Sequence, residues 1–461
     1  MRAFALALLI LAAVPALAFW SGQIAQIPFG YPSISTASLG GSAYVCYTAQ
    51  GLSGVAAVCT ALSGPSEYVV PVPPAGNAST LPVIFTTGNG TLALLWTTPG
   101  LEGLYLSLLP SSKPLELLRG AYVASYVGAG DRVYVLRSLC PICPPTELLV
   151  FNTTGALLDR APARGLAALL AVQSGLLLGR LANGSYVLMN SSSLAPIAVF
   201  NSSWAGLSGG SLFTFSEGVL RWGNLSFMLP WASGATPAVA GNKTFVVAWG
   251  NGSLSVYLAE GGRVELRRYP LPGVLYAEAL GAGDYLYIVA VAQSGPAYSL
   301  WAFVVPATPP RPSLSVSIVN ATLRVSWAVP NPEQYNVTSV ALTVYHNGSL
   351  IFSSHALSGN ASVPINATGL YTARLYVASP LGDVVETGEA SYTPPAQTTT
   401  TTVPPPPPPP PPITSTSAPS NATSTHAVEA QTGSPWLYRA AGFAVASAAL
   451  AVLVVALRRK R

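Results

Sequence analysis

Residues 238–269 read AVAGNKTFVVAWGNGSLSVYLAEGGRVELRRY, and their pattern decides the fold expected for most of the chain. Apolar, β-branched runs at Phe245–Trp249, Ser253–Leu258 and Val264–Tyr269 are separated by Gly-Asn-Gly and Gly-Gly. Short runs of this composition between turn-forming residues indicate strands. Together with the run that opens the stretch, they predict four antiparallel strands in roughly 40 residues.

Similar units can be drawn from residue 31 to residue 306. Their boundaries are 31–75, 79–119, 120–163, 165–200, 201–234, 236–273 and 274–306. Repeats of about 40 residues are typical of β-propellers, in which neighbouring sheets cover each other's faces. We therefore predict an all-β, seven-bladed β-propeller over 19–306, with six to eight blades as the range. The last unit shows three strands, and Gly22–Phe29 is expected to supply the fourth and close the ring.

The quoted unit resembles the loose repeats of WD40-like and quinoprotein-like β-propellers. The resemblance lies in its strand–turn rhythm and in the glycine before its third strand. The unit has no Gly-His…Trp-Asp pair and no sialidase-type Asp box. The resemblance therefore implies an architecture and no particular activity.

Beyond Pro309-Pro310 the sequence changes character, and residues 311–393 resemble a fibronectin type III domain. The residues that carry the resemblance are Trp327, Tyr345, the run Tyr371–Ala378 and the bend at Pro380-Leu381-Gly382. The resemblance implies a small β-sandwich with Trp327 and Tyr371 in its core.

The N-terminal 18 residues predict a secretory signal peptide. Arg2 is followed by the apolar run Ala3–Val14 and the small-residue site Ala16-Leu17-Ala18, so we expect cleavage after Ala18. An uncleaved N-terminal helix is the alternative.

The C-terminal end predicts a tether. Residues 394–435 form a Thr/Pro-rich stalk that includes Pro404–Pro412, and such a composition favours a disordered, extended spacer. Within 436–461, the uncharged run Ala440–Leu457 precedes four basic residues. This order predicts one transmembrane helix with a basic cytoplasmic tail, and places the bulk of the chain outside the cell.

The charge balance gives no reason to expect a nucleic-acid partner. The formal net charge is +5, and Arg2 together with Arg458–Arg461 accounts for all of it. The remaining chain is neutral, so the positive balance belongs to membrane topology.

Asparagine usage predicts a glycoprotein. Fifteen of the sixteen asparagines lie in Asn-x-Ser/Thr sequons, far more than chance would place there. These candidate sites are Asn77, Asn89, Asn152, Asn183, Asn190, Asn201, Asn224, Asn242, Asn251, Asn320, Asn336, Asn347, Asn360, Asn366 and Asn421.

The four cysteines predict two disulfides in an oxidising compartment. If Leu52 and Ser53 form a hairpin loop, Cys46 falls opposite Cys59. Cys140-Pro-Ile-Cys143 has the CxxC spacing of redox and metal sites, but no second CxxC or nearby histidine accompanies it. A structural disulfide is the favoured interpretation.

Catalytic and metal chemistry have little support in this sequence. No histidine occurs between residues 19 and 306, which excludes a Ser-His-Asp triad or a histidine metal site there, and we expect no cofactor. The carboxylates that remain for a glycosidase pair are Glu67, Glu102, Glu116, Asp131, Glu147, Asp159, Glu217, Glu260, Glu265, Glu278 and Asp284. The candidate binding aromatics are Trp204, Trp222, Trp231 and Trp249, for which core packing is the alternative.

These observations predict a single-pass cell-membrane glycoprotein that displays a propeller for protein or glycan binding at the envelope. Dense sequons, a Thr/Pro stalk and a basic-tailed span resemble archaeal surface proteins, and an S-layer protein or glycan is the expected partner. An anchored polysaccharide hydrolase and a structural spacer are the alternatives. A hydrolase requires two carboxylates in one funnel, whereas a spacer is expected to carry glycans on both faces.

Overall fold

The computed structural model describes residues 21–27, 33–51, 54–62, 67–71, 82–97, 102–110, 113–260 and 263–394. Every helix or strand element in these ranges is a strand, which confirms the all-β prediction. Accordingly, the described ranges contain no helix with the length and apolar character needed to span a bilayer. The signal peptide, nearly all of the stalk, the apolar run at 440–457, Asn77 and Asn421 lie outside the described residues.

Strands β1 to β28 occupy the described residues up to 306. Their bounds are β1 Ser21–Ile27, β2 Ile34–Leu39, β3 Ser42–Gly51, β4 Gly54–Ala61, β5 Glu67–Pro71, β6 Val83–Thr86, β7 Leu92–Thr97, β8 Gly103–Leu109, β9 Leu115–Arg119, β10 Tyr122–Ala129, β11 Arg132–Ser138, β12 Pro145–Asn152, β13 Leu157–Pro162 and β14 Leu166–Gln173. They continue with β15 Leu176–Leu181, β16 Tyr186–Asn190, β17 Pro196–Phe200, β18 Trp204–Ser208, β19 Ser211–Ser216, β20 Val219–Trp222, β21 Leu225–Met228, β22 Gly234–Ala240, β23 Lys243–Gly250, β24 Ser253–Leu258, β25 Val264–Pro270, β26 Val274–Ala282, β27 Tyr285–Ser294 and β28 Ala297–Pro306.

These strands form seven four-stranded antiparallel sheets, which we call blades 1 to 7. Blades 1 to 6 each use four successive strands: β2–β5, β6–β9, β10–β13, β14–β17, β18–β21 and β22–β25. Blade 7 has the order β1-β28-β27-β26. The first strand of each blade contacts the first strand of the next, so we number strands within a blade from the centre outward.

The turns within blade 6 follow from local backbone preferences. Asn251 and Gly252 link β23 to β24, and both have positive φ, at 47° and 73°. A two-residue hairpin of this kind needs left-handed backbone at both positions, which asparagine and glycine tolerate best. The strands predicted from the sequence in this unit match the observed ones closely.

The N-terminal strand closes the ring, as predicted. β1 pairs antiparallel with β28 and supplies the outer strand of blade 7. Ile27 is 1% exposed and packs with Val289 and Leu300 in the seam between blades 7 and 1. At the inner edge of the same seam, the Ile34 amide donates to the Tyr276 hydroxyl at 3.0 Å.

Each pair of neighbouring blades encloses its own hydrophobic cluster. The seam between blades 6 and 7 is built on Phe245, Trp249 and Phe303. The seam between blades 4 and 5 is smaller and rests on Leu178 and Tyr186 with their neighbours. Apolar surface on both sides of each sheet is therefore buried between blades, and the repeated sheets resemble a β-propeller.

Seven further strands form a second unit of two packed sheets. They are β29 Ser313–Val319, β30 Thr322–Ala328, β31 Ser339–His346, β32 Ser349–Ser354, β33 Ser358–Pro364, β34 Gly369–Ala378 and β35 Val384–Tyr392. A three-stranded sheet, β29-β30-β33, faces a four-stranded sheet, β32-β31-β34-β35. The core between them contains Trp327 and Tyr371, as predicted, with Leu323 and Leu375 fully buried.

The second unit contacts blades 6 and 7 through its loops. Leu381 is 2% exposed and packs into the cluster between those blades. Arg311 forms an ion pair with Asp284 at 2.6 Å. The Asn336 side-chain amide donates to the Leu266 carbonyl at 2.6 Å, and Arg267 donates to the Glu333 carbonyl. Tyr335 also packs against that cluster, so apolar and polar contacts together hold this unit against the ring.

Candidate binding surface

The strand order divides the ring into two faces. Because successive strands are antiparallel, first–second and third–fourth turns share one face, here the lower face. Second–third turns and the connections between blades share the upper face. Contacts between turns support this division, since Gly88 in blade 2 donates to Asp131 in the equivalent turn of blade 3.

Sequons occur on both faces. On the lower face lie Asn89, Asn152, Asn190, Asn224 and Asn242, and on the upper face lie Asn183, Asn201 and Asn251. In the two-sheet unit lie Asn320, Asn336, Asn347, Asn360 and Asn366. Of these thirteen described residues, eleven are exposed, and Asn152 and Asn336 are half-buried. The Asn336 side-chain amide also donates a hydrogen bond to the Leu266 carbonyl. This side chain therefore belongs to the contact between the two-sheet unit and the ring, which we call the junction.

Both predicted disulfides are present. Cys46 and Cys59 lie opposite each other on β3 and β4 and are completely buried in the seam between blades 1 and 2. The second disulfide, Cys140–Cys143, closes the loop between β11 and β12. This loop lies on the upper face and carries no sequon.

The Cys140–Cys143 loop displays two apolar side chains. Leu139 is 71% exposed and Ile142 is 95% exposed. The Ser138 hydroxyl donates to the Cys140 carbonyl at 3.0 Å, and the Cys143 amide donates to the same carbonyl at 3.2 Å. The disulfide and these hydrogen bonds hold the loop in one shape. Apolar side chains presented by such a rigid loop are typical of a binding surface, because little conformational entropy is lost on association.

The four candidate tryptophans do not form one patch. Trp204 is 37% exposed, and its ring meets that of the buried Trp249 edge-on at 5.9 Å. Trp222 ends β20 on the lower face and donates to the Ser208 carbonyl at 3.1 Å. Trp231 lies in the connection between blades 5 and 6 beneath Arg268, with 5.6 Å from guanidinium carbon to ring centre. Only Trp204 and Trp249 are brought together, and Trp249 is a core residue.

The carboxylates of the ring are held by separate partners. These pairs are Glu102–Tyr122, Glu116–Arg119, Asp131–Gly88, Glu260–Lys243, Glu265–Arg268, Glu278–Thr36 and Asp284–Arg311. Glu147 lies between Arg137 and Arg160. The Arg160 hydrogen bond is the main cause that holds the pKa of Glu147 below its usual range. The Asp159 carboxylate accepts from the Arg160 amide, and Glu217 lies in the β19–β20 turn. No contact joins two of these carboxylates in the part of the chain that the structure describes.

Glu278 differs from the other carboxylates because of where it lies. Its side chain is at the inner edge of the seam between blades 7 and 1, where it accepts from the Thr36 hydroxyl at 2.8 Å. Burial raises its pKa to about 7, and the Thr36 hydrogen bond partly opposes this. Burial also raises the pKa of the neighbouring Tyr276.

The histidines of the two-sheet unit hold structural positions. His346 stacks on Tyr371 with ring centres 4.5 Å apart, and His355 Nδ1 lies 3.0 Å from the Val340 carbonyl. Across the described ranges, no group of three His, Cys, Asp or Glu side chains is arranged to hold a metal ion.

Two cavities open at seams of the structure. One, of about 340 Å³, lies between blades 3 and 4 and is lined mainly by aliphatic residues, with Arg164 among the lining. The other, of about 220 Å³, lies at the junction and is lined by Arg267, Tyr269 and Gln334. The Gln334 Oε1 atom is buried there without a hydrogen-bond partner. The sequence predicted neither cavity, because each is lined by segments that lie far apart along the chain.

Two solved structures are similar to this chain at low sequence identity. The Cps50 (Swd1) β-propeller domain from Myceliophteria thermophila aligns with a TM-score of 0.41 and 12% identity, over 61% of this chain and 99% of that chain. BamB from Moraxella catarrhalis aligns with a TM-score of 0.32 and 12% identity, over 67% and 95%. No family model and no curated protein matches the chain. The structural class is therefore assigned from the observed sheets. This is an all-β protein whose repeated four-stranded sheets resemble a β-propeller.

Proposed function

We propose that this protein is a membrane-anchored extracellular glycoprotein whose ring of seven blades binds a protein or glycan of the cell envelope. The observation that carries the proposal is the rigid upper-face loop with Leu139 and Ile142 exposed. Exposed aliphatic side chains suit the apolar centre of a protein interface, so a protein is the favoured partner.

The position of the loop supports the same conclusion. The described sequons of the upper face lie on blades 4 to 6, whereas the loop belongs to blade 3. Attached glycans would obstruct a partner at a covered surface, so a binding surface is expected where sequons are absent.

Binding is tested with the full-length protein purified in detergent and immobilised. Extracts of cell envelopes are applied before and after protease or periodate treatment, which destroy protein and glycan ligands respectively. We expect Leu139→Ser/Ile142→Ser to weaken retention at least about tenfold and protease to abolish it. The matched control is Leu157→Ser/Leu158→Ser, which alters side chains 54% and 52% exposed on β13. Equal retention by both variants and the wild type would contradict the proposal.

Membrane attachment and glycosylation are supported by the sequence of the two ends and by the exposure of the sequons. The apolar run at 440–457 is followed by four basic residues, and eleven of the thirteen described sequon asparagines are exposed. Protease treatment of intact cells should leave only a short C-terminal fragment in the membrane. Glycopeptide mass spectrometry tests the sequons directly. The same combination of features resembles archaeal surface glycoproteins.

We further assign the two-sheet unit as fibronectin type III-like. Its three-stranded and four-stranded sheets enclose Trp327, and the Tyr371 hydroxyl donates to the Ala367 carbonyl at 3.0 Å. A tyrosine bonded to backbone a few residues upstream is a feature of related sandwiches.

A structural spacer is the second candidate, because sequons occur on both faces of the ring. The two candidates differ in one respect that can be measured. A spacer requires no ligand, so the wild type would retain nothing from envelope extracts above the level of Leu139→Ser/Ile142→Ser.

A further inference from the structure

The two outer faces of the two-sheet unit differ in chemistry. The outer face of β29-β30-β33 presents mostly serine and the sequon residue Asn360. The outer face of β32-β31-β34-β35, which we call the four-stranded face, presents Leu350, Leu370, Tyr376 and Val385. Both faces point away from the core of the same small unit. Exposure to water therefore does not explain why one of them is apolar.

The apolar residues of the four-stranded face are not covered by the described part of the chain. Leu350 is 56% exposed, Val385 58% and Leu370 45%. The contacts with the ring are made by loops and not by this face. No sequon lies on the face itself, and Asn347 lies in the turn at one end of it. An exposed apolar face without glycan sites indicates an interaction surface.

The charges of this face suit a second copy of itself. Arg374 lies on β34 and pairs in register with Thr387 of β35, and Glu389 lies two residues further along on the same side. Neither Arg374 nor Glu389 belongs to an ion pair found among the described residues. In a two-fold dimer each residue contact occurs twice, so Arg374 of one copy can meet Glu389 of the other.

The size of the face also fits weak self-association. Four strands about 4.8 Å apart and about 26 Å long cover roughly 500 Å² per copy, or roughly 1,000 Å² in total. This is near the lower limit for a specific interface. Attachment of both copies to one membrane, which rests on the proposed function, would raise their effective concentration.

We propose that the four-stranded face is a self-association surface through which two copies of this protein form a two-fold symmetric dimer. The apolar side chains supply the buried centre. Arg374 and Glu389 set the relative orientation of the copies by pairing across the axis.

The proposal is tested on the full-length protein in detergent by sedimentation velocity over a range of concentrations. The wild type should show a monomer–dimer equilibrium. Leu350→Arg/Val385→Arg should raise the dissociation constant at least about tenfold, because each copy then brings two unpaired positive charges into the apolar part of the interface. The matched control is Ser315→Arg/Ser317→Arg on the opposite face, which should dimerise as the wild type does.

Charge reversal provides the specific test. Arg374→Glu alone and Glu389→Arg alone should each weaken dimerisation, because each places like charges across the axis. An equimolar mixture of the two variants should restore it, since each copy then supplies the partner that the other lacks. A monomeric wild type, a dimer insensitive to Leu350→Arg/Val385→Arg, or a mixture that fails to recover would overturn the proposal. A wild type that becomes dimeric only after removal of residues 396–434 would also overturn it, because the chain's own stalk would then cover the face.

Discussion

Glu278 lies on β26 where blade 7 meets blade 1, and the Thr36 hydroxyl donates to its carboxylate at 2.8 Å. Tyr276 lies on the same strand, and no cation pairs with Glu278 in the described ranges. Burial raises the pKa of Glu278 from 4.5 to about 7. The folded state therefore binds an additional proton between these pH values, and charging this group at higher pH works against ring closure.

We predict that Glu278→Gln removes a pH dependence from folding stability. The contribution of Glu278 is most favourable below about pH 4.5 and falls as the pH rises to about 7. At pH 8 the variant should be more stable than the wild type by up to roughly 3 kcal/mol, since each pKa unit corresponds to about 1.4 kcal/mol. At pH 4.5 the two should agree. Urea unfolding across this range measures the difference, and a constant offset at all pH values would refute the assignment.

Asn336 shows that a sequon alone does not decide whether a residue is available for modification. Its side-chain nitrogen donates to the Leu266 carbonyl, and the residue is half-buried at the junction. The glycan bond would form at that same nitrogen. Glycosylation and this contact with blade 6 therefore compete.

We predict that Asn336 is largely unmodified, whereas Asn360, exposed on β33, carries glycan. Glycopeptide mass spectrometry of the protein isolated from its native cells measures both occupancies in one sample. Full occupancy at Asn336 would show that the junction opens or forms only after modification. Low glycan occupancy at both Asn336 and Asn360 would contradict the prediction, because burial at the junction would then not explain the low occupancy at Asn336.

At the scale of the element, the N-terminal strand β1 links the two ends of the ring. It is distant in sequence from β28, yet it completes blade 7 and places Ile27 in the closing seam. Its pairing joins the two ends of the ring, so blades 1 and 7 depend on seven residues of the N-terminal segment.

We predict that Ile27→Ala destabilises the protein by about 2–5 kcal/mol, because it leaves a cavity in a fully buried seam. The matched control is Gln26→Ala, on the same strand but exposed, which should change stability by less than about 0.5 kcal/mol. Chemical denaturation followed by tryptophan fluorescence measures both. Equal effects of the two substitutions would show that β1 contributes through backbone pairing alone.

The sequence predicted the elements well because their signals are local. Strand lengths and turn residues such as Asn251-Gly252 are set by neighbouring residues, so the seven units and the two disulfides follow from spacing. The exposure of Ile142, the position of Glu278 in a seam and the contact of Trp204 with Trp249 depend on which blades become neighbours. Those relations come from ring closure, which no short stretch of sequence encodes.

At the scale of the whole molecule, the contact between the two-sheet unit and the ring decides whether the two parts unfold together. Leu381 follows β34 in the two-sheet unit but is buried in the cluster between blades 6 and 7. The Asp284–Arg311 ion pair lies nearby but is largely exposed, and exposed pairs contribute little to stability. The apolar contacts of Leu381, with Tyr335 packed against the same cluster, should therefore account for most of the coupling between the two units.

We predict that Leu381→Asp uncouples the two units, because it places an unpaired carboxylate in an apolar seam. The wild type should unfold in one calorimetric transition and the variant in two, with a larger radius of gyration by small-angle scattering. Arg311→Ala is the control for the exposed ion pair and should retain the single transition. If Leu381→Asp also unfolds in one transition at unchanged dimensions, the coupling comes from the remaining contacts, which include the packing of Tyr335 and the hydrogen bonds of Asn336 and Arg267. The double variant Asn336→Ala/Arg267→Ala would then be expected to separate the units instead.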